Sequence, residues 1–110
     1  MSDFSRHAPL VTALRRAALE APALTKPELR QGVAARASGG PVIEAPYDAL
    51  ARQIGEAAHR VTDAQVQAVL TAAGSEKAAF EIIAAAAAGA SLLRWDAGTK
   101  VLREAIDATT

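Results

Sequence analysis

Residues 76–106 read EKAAFEIIAAAAAGASLLRWDAGTKVLREAI, and this stretch decides the fold. It has no proline and is dominated by alanine, the strongest helix former. Ser75 stands before it as a capping hydroxyl, and Glu76 puts a negative charge in the first turn, where the helix dipole favours one. Thirty-one residues rising 1.5 Å each extend about 46 Å. A compact chain of 110 residues has a radius of gyration of about 13 Å, hence a diameter of roughly 34 Å. One straight helix therefore overhangs its own domain. Either it breaks near Gly89-Ala90-Ser91, or the overhang rests on another chain.

Two apolar stripes run along this segment. Ala85, Ala88, Leu92, Trp95, Thr99, Leu102 and Ile106 repeat in steps of three and four, the spacing of a helix-pairing seam. Phe80, Ile83, Ala87 and Ala90 form a second stripe, expected to face the core. Two faces imply two sets of neighbours, so the chain is expected to pair with copies of itself, as a dimer up to a hexamer. Leu92, Trp95, Leu102 and Ile106 are the interface candidates, with Trp95 an anchor ahead of a ligand-stacking residue. The low aromatic content, 4%, points the same way, because an alanine-built core buries little area per residue.

Upstream, apolar spacing is helical nearly everywhere and nowhere alternates cleanly as a strand does. Leu10, Val11, Leu14, Ala17 and Ala18 make one face of a first helix that Pro22 stops. Thr25, Pro27 and Glu28 read as the capped start of a second helix over about 26–36. Ser38-Gly39-Gly40-Pro41 breaks the chain, and the loop runs on to Ala45. A third helix opens at Pro46 with Tyr47, Leu50, Ala51, Ile54, Ala58 and Val61 inward. Thr62 and Gln65 form a capping box for a short fourth helix with Val66, Val69, Leu70 and Ala73 inward, ended by a left-handed Gly74. The expected fold is all-α, a single helical domain over 1–110, with an N-terminal helical pair (1–40) and a helical core (46–107).

Composition removes whole classes of chemistry. The chain has no Cys, which excludes disulfides, thiolate zinc sites, iron–sulfur ligation and thiol redox steps. Its 12 basic and 12 acidic residues cancel. The six basic and three acidic groups of residues 1–40, against six and nine in 41–110, make no basic stripe for nucleic acid. No apolar segment fits between the charges of the N-terminus as a signal peptide would, so a cytoplasmic location is the default expectation. The longest uncharged apolar run, Ile82 to Leu93, falls short of the roughly 20 residues a membrane span needs.

From Tyr47 to Glu104 the order of pieces resembles a known group. Val61-Thr62-Asp63, Ala72-Ala73-Gly74-Ser75-Glu76, Phe80-Glu81 and Ala86-Ala87-Ala88-Gly89-Ala90 are similar to the carboxymuconolactone decarboxylase and alkylhydroperoxidase D-like superfamily. The resemblance covers about half the chain and implies an orthogonal, oligomeric bundle of about five or six helices. The peroxidase branch of that family needs a Cys-x-x-Cys pair with a His four residues beyond. Counted back from Gly74, the first Cys position falls on His59, the second on Thr62 and the His on Val66, while an upstream Glu falls near Tyr47. One thiolate must attack peroxide and a second must resolve the sulfenic acid, and this chain has neither.

The decarboxylase branch does not depend on a cysteine pair, so the resemblance leaves it open. Glu56 and His59 stand three apart on the expected third helix, where a carboxylate can raise and orient an imidazole proton. They are the candidate acid–base pair, and Arg60 or Arg52 is the candidate holder of a small carboxylated lactone. A Glu and a His near a helix C-terminus also arise from helix electrostatics alone. His7 sits in the N-terminal segment and makes no metal-ligand spacing with His59. No metal or other cofactor is implied, and no phosphate loop or nucleophile elbow is present. Three functions follow: a redox-inactive relative of that family, a cysteine-free decarboxylase, or a helical protein-interaction module.

Overall fold

The computed structural model describes the backbone of residues 3–109 and the side chains of residues 8–108. His7 therefore lies outside the described side chains. Among the described residues there are five α-helices and no strand: α1 (Asp3–Arg15), α2 (Pro27–Ala37), α3 (Tyr47–Ala57), α4 (Asp63–Ala73) and α5 (Glu76–Thr109). A π-helical turn (Arg16–Glu20) follows α1, and a 3-10 turn (Ala58–Arg60) follows α3. The all-helical expectation holds. Of the two alternatives left open for the long segment, the break near Gly89 does not occur, and α5 runs 34 residues without interruption.

That continuity has a packing reason. Gly89 brings α5 against α2, where a Cβ would fall 2.6 Å from the Ala34 Cα, closer than side chains approach backbone. Gly55 does the same for α3, its absent Cβ standing 2.8 Å from the Ala37 carbonyl carbon. The two glycines let α2 lie between α3 and α5 at short range. Gly89 is a contact point inside a regular helix, so no break is needed there.

The core is built around this sandwich. Val33, Leu50, Ile54, Val69 and Ile82 are buried at its centre, with Ala34, Ala51, Ala79, Ala85 and Ala86 filling between them. On α5 the buried set runs Ala78, Ile82, Ala85, Gly89 and Leu92, in steps of four and three. Of the expected second stripe, Ala90 is buried and Ile83 packs against the core, while Phe80 and Ala87 do not face it. Phe80 lies about 200° around the helix from Ile82 and is 68% exposed, and Ala87 is exposed as well. The seam stripe is thus continuous with the core: its N-terminal half packs inside the protomer, and Leu92 is buried there.

Helix ends follow the sequence in the second half of the chain. The Thr62–Gln65 capping box forms with both hydrogen bonds, at 3.0 and 3.1 Å. Gly74 ends α4 at φ 92°, and the Ser75 hydroxyl accepts the Ala78 N–H. Of the expected inner face of α3, Tyr47, Leu50, Ala51 and Ile54 are buried, Val61 is half-buried, and Ala58 is exposed because the helix has already ended.

The first half departs more. Lys26, not Thr25, precedes α2 and offers no side-chain cap. The Thr25 hydroxyl instead donates to Glu81 of α5. Leu10 and Leu14, expected to face the core, are 67% and 48% exposed. The reason is where α1 goes. It leaves the body and lies along the far half of α5, so little of the core reaches it.

The molecule is accordingly elongated. Its extents are 54 × 28 × 21 Å and its radius of gyration is 15.6 Å, against about 13 Å for a compact chain of this length. Arg15 pairs with Asp96, and Leu19 shares a cavity wall with Gly89 and Leu92, so α1 runs antiparallel to α5. Together they form a two-helix arm beyond the body.

Candidate functional site

The four residues that sequence reasoning placed at an acid–base site do not converge. Glu56 lies in the last turn of α3 and His59 in the 3-10 turn after it. Between them Ala57 adopts φ −163° and ψ 88°, an extended conformation that interrupts the helix. The three-residue spacing therefore no longer places Glu56 and His59 on adjacent turns of one helix. Glu56 faces Arg52 instead, at 3.9 Å, with both side chains more than half exposed. Such a pair contributes at most about 1 kcal/mol. His59 and Arg60 are exposed.

The α3 C-terminus is held by other groups. Arg94 of α5 donates to the Gly55 carbonyl at 3.3 Å, and Gln53 donates to the Ala57 carbonyl at 3.2 Å. A cation at a helix C-terminus complements its dipole. Sequence spacing offered no route to Arg94, since the contact spans 39 positions and depends on α5 crossing α3.

A cavity of about 260 Å³ opens between the π turn, α2 and α5. Leu19, Ala34, Gly89 and Leu92 give it an apolar floor, and Arg15, Gln31, Ser38 and Asp96 stand at its edge. It is open to solvent, and none of Arg52, Glu56, His59 or Arg60 lines it. Among the described residues no group of three or more His, Asp or Glu side chains could hold a metal ion.

Two polar constellations are ordered, and both lie in contacts that hold the fold together. The Glu81 carboxylate accepts the Thr25 hydroxyl at 2.7 Å, the Thr25 N–H at 2.8 Å and the Leu24 N–H at 3.1 Å. Hydrogen bonds from Thr25, side chain first and backbone second, hold its carboxyl below the ordinary glutamate range. Beside it Arg30 is buried at 2% exposure and donates to the carbonyls of Ala18 and Ala21, while Gln31 donates to the Leu19 carbonyl. These carbonyls belong to the π turn and its end, beyond which no further helical turn supplies N–H donors to them. The second constellation closes the 38–46 loop: Asp48 accepts the Ile43 N–H at 3.1 Å and pairs with Arg36 at 2.7 Å. The Ile43 bond is the leading reason the Asp48 carboxyl sits below its ordinary range.

The remaining feature is a surface. On α5, Thr99 is buried although it lies beyond the body, so α1 covers it. Around the helix from Thr99, Leu102 sits about 60° to one side, while Asp96 and Arg103 sit about 60° and 40° to the other. The Arg15–Asp96 pair fixes the rotation of α1, placing Leu10 and Leu14 on the Leu102 side. Among the described residues of α5, Asp96, Lys100 and Arg103 lie to one side of Thr99 and Leu102 to the other, with the exposed Arg94 about 80° beyond Leu102.

The chain matches no family model, no curated protein and no solved structure. By length and composition α5, over Glu76–Ala108, is apolar enough to cross a membrane, and 44% of its most apolar window is buried inside the molecule.

Proposed function

We propose that this chain is a redox-inactive, cysteine-free relative of the carboxymuconolactone decarboxylase and alkylhydroperoxidase D-like superfamily that works as a helical interaction module. Its working surface is the apolar side of the α1–α5 arm. The carrying observation is the exposure of Leu10, Leu14 and Leu102 at 67%, 48% and 49%, side by side on an arm that projects from the body. Contiguous exposed apolar surface of this kind marks a docking site.

The family part of the reading is supported by the order of the boxed α4, the Gly74 stop, the Ser75 cap and the alanine-rich α5. Without cysteine, peroxide reduction through a thiolate has no nucleophile. A lactone decarboxylase centred on His59 needs walls around its substrate, and His59, Arg60 and Glu56 are all exposed. The interaction reading is therefore preferred.

The double variant Leu14→Glu, Leu102→Glu tests it. The variant keeps its helical circular dichroism and the exchange protection of α2 and α3 amides. Loss of that protection would mean the two leucines belong to the folding core, and the reading would fail.

A further inference from the structure

We infer that the open cavity between the π turn, α2 and α5 is a binding site for a free α-amino acid with an apolar side chain. Arg15 takes its carboxylate, Asp96 and Ser38 take its ammonium, and its side chain rests on the apolar floor. None of Leu10, Leu14 and Leu102 lines this cavity, so the inference does not depend on the docking side of the arm.

Small residues leave the space open. Gly89 has no side chain and Ala34 only a methyl, so neither helix fills the space beside their contact. Leu19 and Leu92, both buried by the fold, complete a floor of carbon atoms. On the α2 wall the Gln31 amide donates to the Leu19 carbonyl at 3.2 Å and so ties the π turn in place. The volume of about 260 Å³ holds on the order of nine water-sized groups at about 30 Å³ each. Leucine, isoleucine and methionine are of this size.

The edge of the cavity decides the chemistry. It carries one cation and one anion, Arg15 and Asp96, 3.8 Å apart with side chains 46% and 63% exposed. That separation is too long for a hydrogen bond, and so loose and wet a pair contributes little to the fold. Both groups therefore keep their capacity for a ligand. A carboxylate fits the planar fork of Arg15, and an ammonium fits the oxygens of Asp96.

Ser38 favours the same orientation. Its hydroxyl proton goes to the Ala35 carbonyl at 2.9 Å, so toward the cavity its oxygen accepts. It also follows the last residue of α2, where the helix dipole favours a positive group. A simple anion here faces Asp96 as a like charge, and a simple cation faces Arg15. A purely apolar molecule covers both charges and pairs with neither. A zwitterion answers both and leaves its side chain for the floor.

Isothermal titration calorimetry with L-leucine tests the assignment. Leucinamide, which lacks the carboxylate, and N-acetylleucine, which lacks the ammonium, are the paired probes. L-Leucine is expected to bind with a Kd of about 1 mM or tighter, and each blocked probe at least about tenfold more weakly. Arg15→Gln and Asp96→Asn should each weaken leucine binding about tenfold or more and keep the helical circular dichroism. Ala35→Leu, at an exposed position of the cavity wall, should fill the space and abolish binding, while Arg52→Gln on α3 leaves it unchanged. No heat from leucine at about 10 mM would overturn the assignment. So would blocked probes that bind as tightly as leucine, or undiminished affinity in Arg15→Gln or Ala35→Leu. The blocked probes are read on the parent protein, so the test stands even where a cavity variant fails to fold.

Discussion

Gly89 of α5 sits against the backbone of Ala34 so closely that a methyl group has no room, its Cβ falling 2.6 Å from the Ala34 Cα. Helix propensity alone predicts that Gly89→Ala stabilises α5, by about 1 kcal/mol. The clash outweighs that gain, because α2 must move and the sandwich of α3, α2 and α5 opens. A net loss of about 2 kcal/mol or more is expected, read by urea denaturation. Gly55→Ala should behave alike, and a stabilised variant at either site would show that the helices are farther apart than described.

Glu81 ties α5 to the segment before α2 through three hydrogen bonds, and its carboxyl is held below the ordinary value of 4.5. A carboxylate with a depressed folded pKa contributes stability that is present above the unfolded value and is lost as pH falls through the folded one. Asp48 acts in the same direction. Thermal stability is therefore expected to decline as pH drops below about 4.5, and the decline should be shallower in Glu81→Gln. Identical pH profiles for the two proteins would remove Glu81 from this role.

Arg30 is nearly inaccessible, and its guanidinium serves the carbonyls of Ala18 and Ala21 together. Arg30→Met fills similar space but leaves those carbonyls without a donor, at a cost of about 2–3 kcal/mol. Arg30→Lys should recover only part of it, since an ammonium lacks the planar fork that spans two acceptors. Full recovery by lysine would mean that charge alone matters there.

Pro9 lies inside α1 and withholds an N–H from the helix. Pro9→Ala is expected to slow amide exchange across α1 by at least about tenfold, equivalent to about 1.4 kcal/mol. Unchanged rates would mean that the arm gains nothing from the restored bond.

His59 is exposed on its turn, and His59→Ala should shift unfolding by no more than about 0.5 kcal/mol. A larger loss would reveal a structural partner for the imidazole.

Local signals in the second half of the chain were legible because each is satisfied within a few residues. Thr62 needs only Gln65, Gly74 needs only its own freedom at positive φ, and Ser75 needs only the Ala78 N–H. In the first half the same kinds of residue serve distant partners. Thr25 looks like a cap for α2, yet its hydroxyl answers a carboxylate 56 positions away. The Glu56–His59 spacing looked like a helical pair until Ala57 left the helix.

By itself, then, the sequence determined that this chain is all-helical, where α3, α4 and α5 begin, and that no thiol chemistry occurs. Propensity, caps and the absence of an atom type are local or absolute properties. Only the tertiary structure decided which side of α5 is core, because an alanine-rich helix is nearly uniform around its circumference. The close approach of Gly89 to Ala34 and the Arg15–Asp96 pair go with one rotation. That rotation buries Leu92, turns Phe80 outward, and leaves Leu10, Leu14 and Leu102 together on one side of the arm.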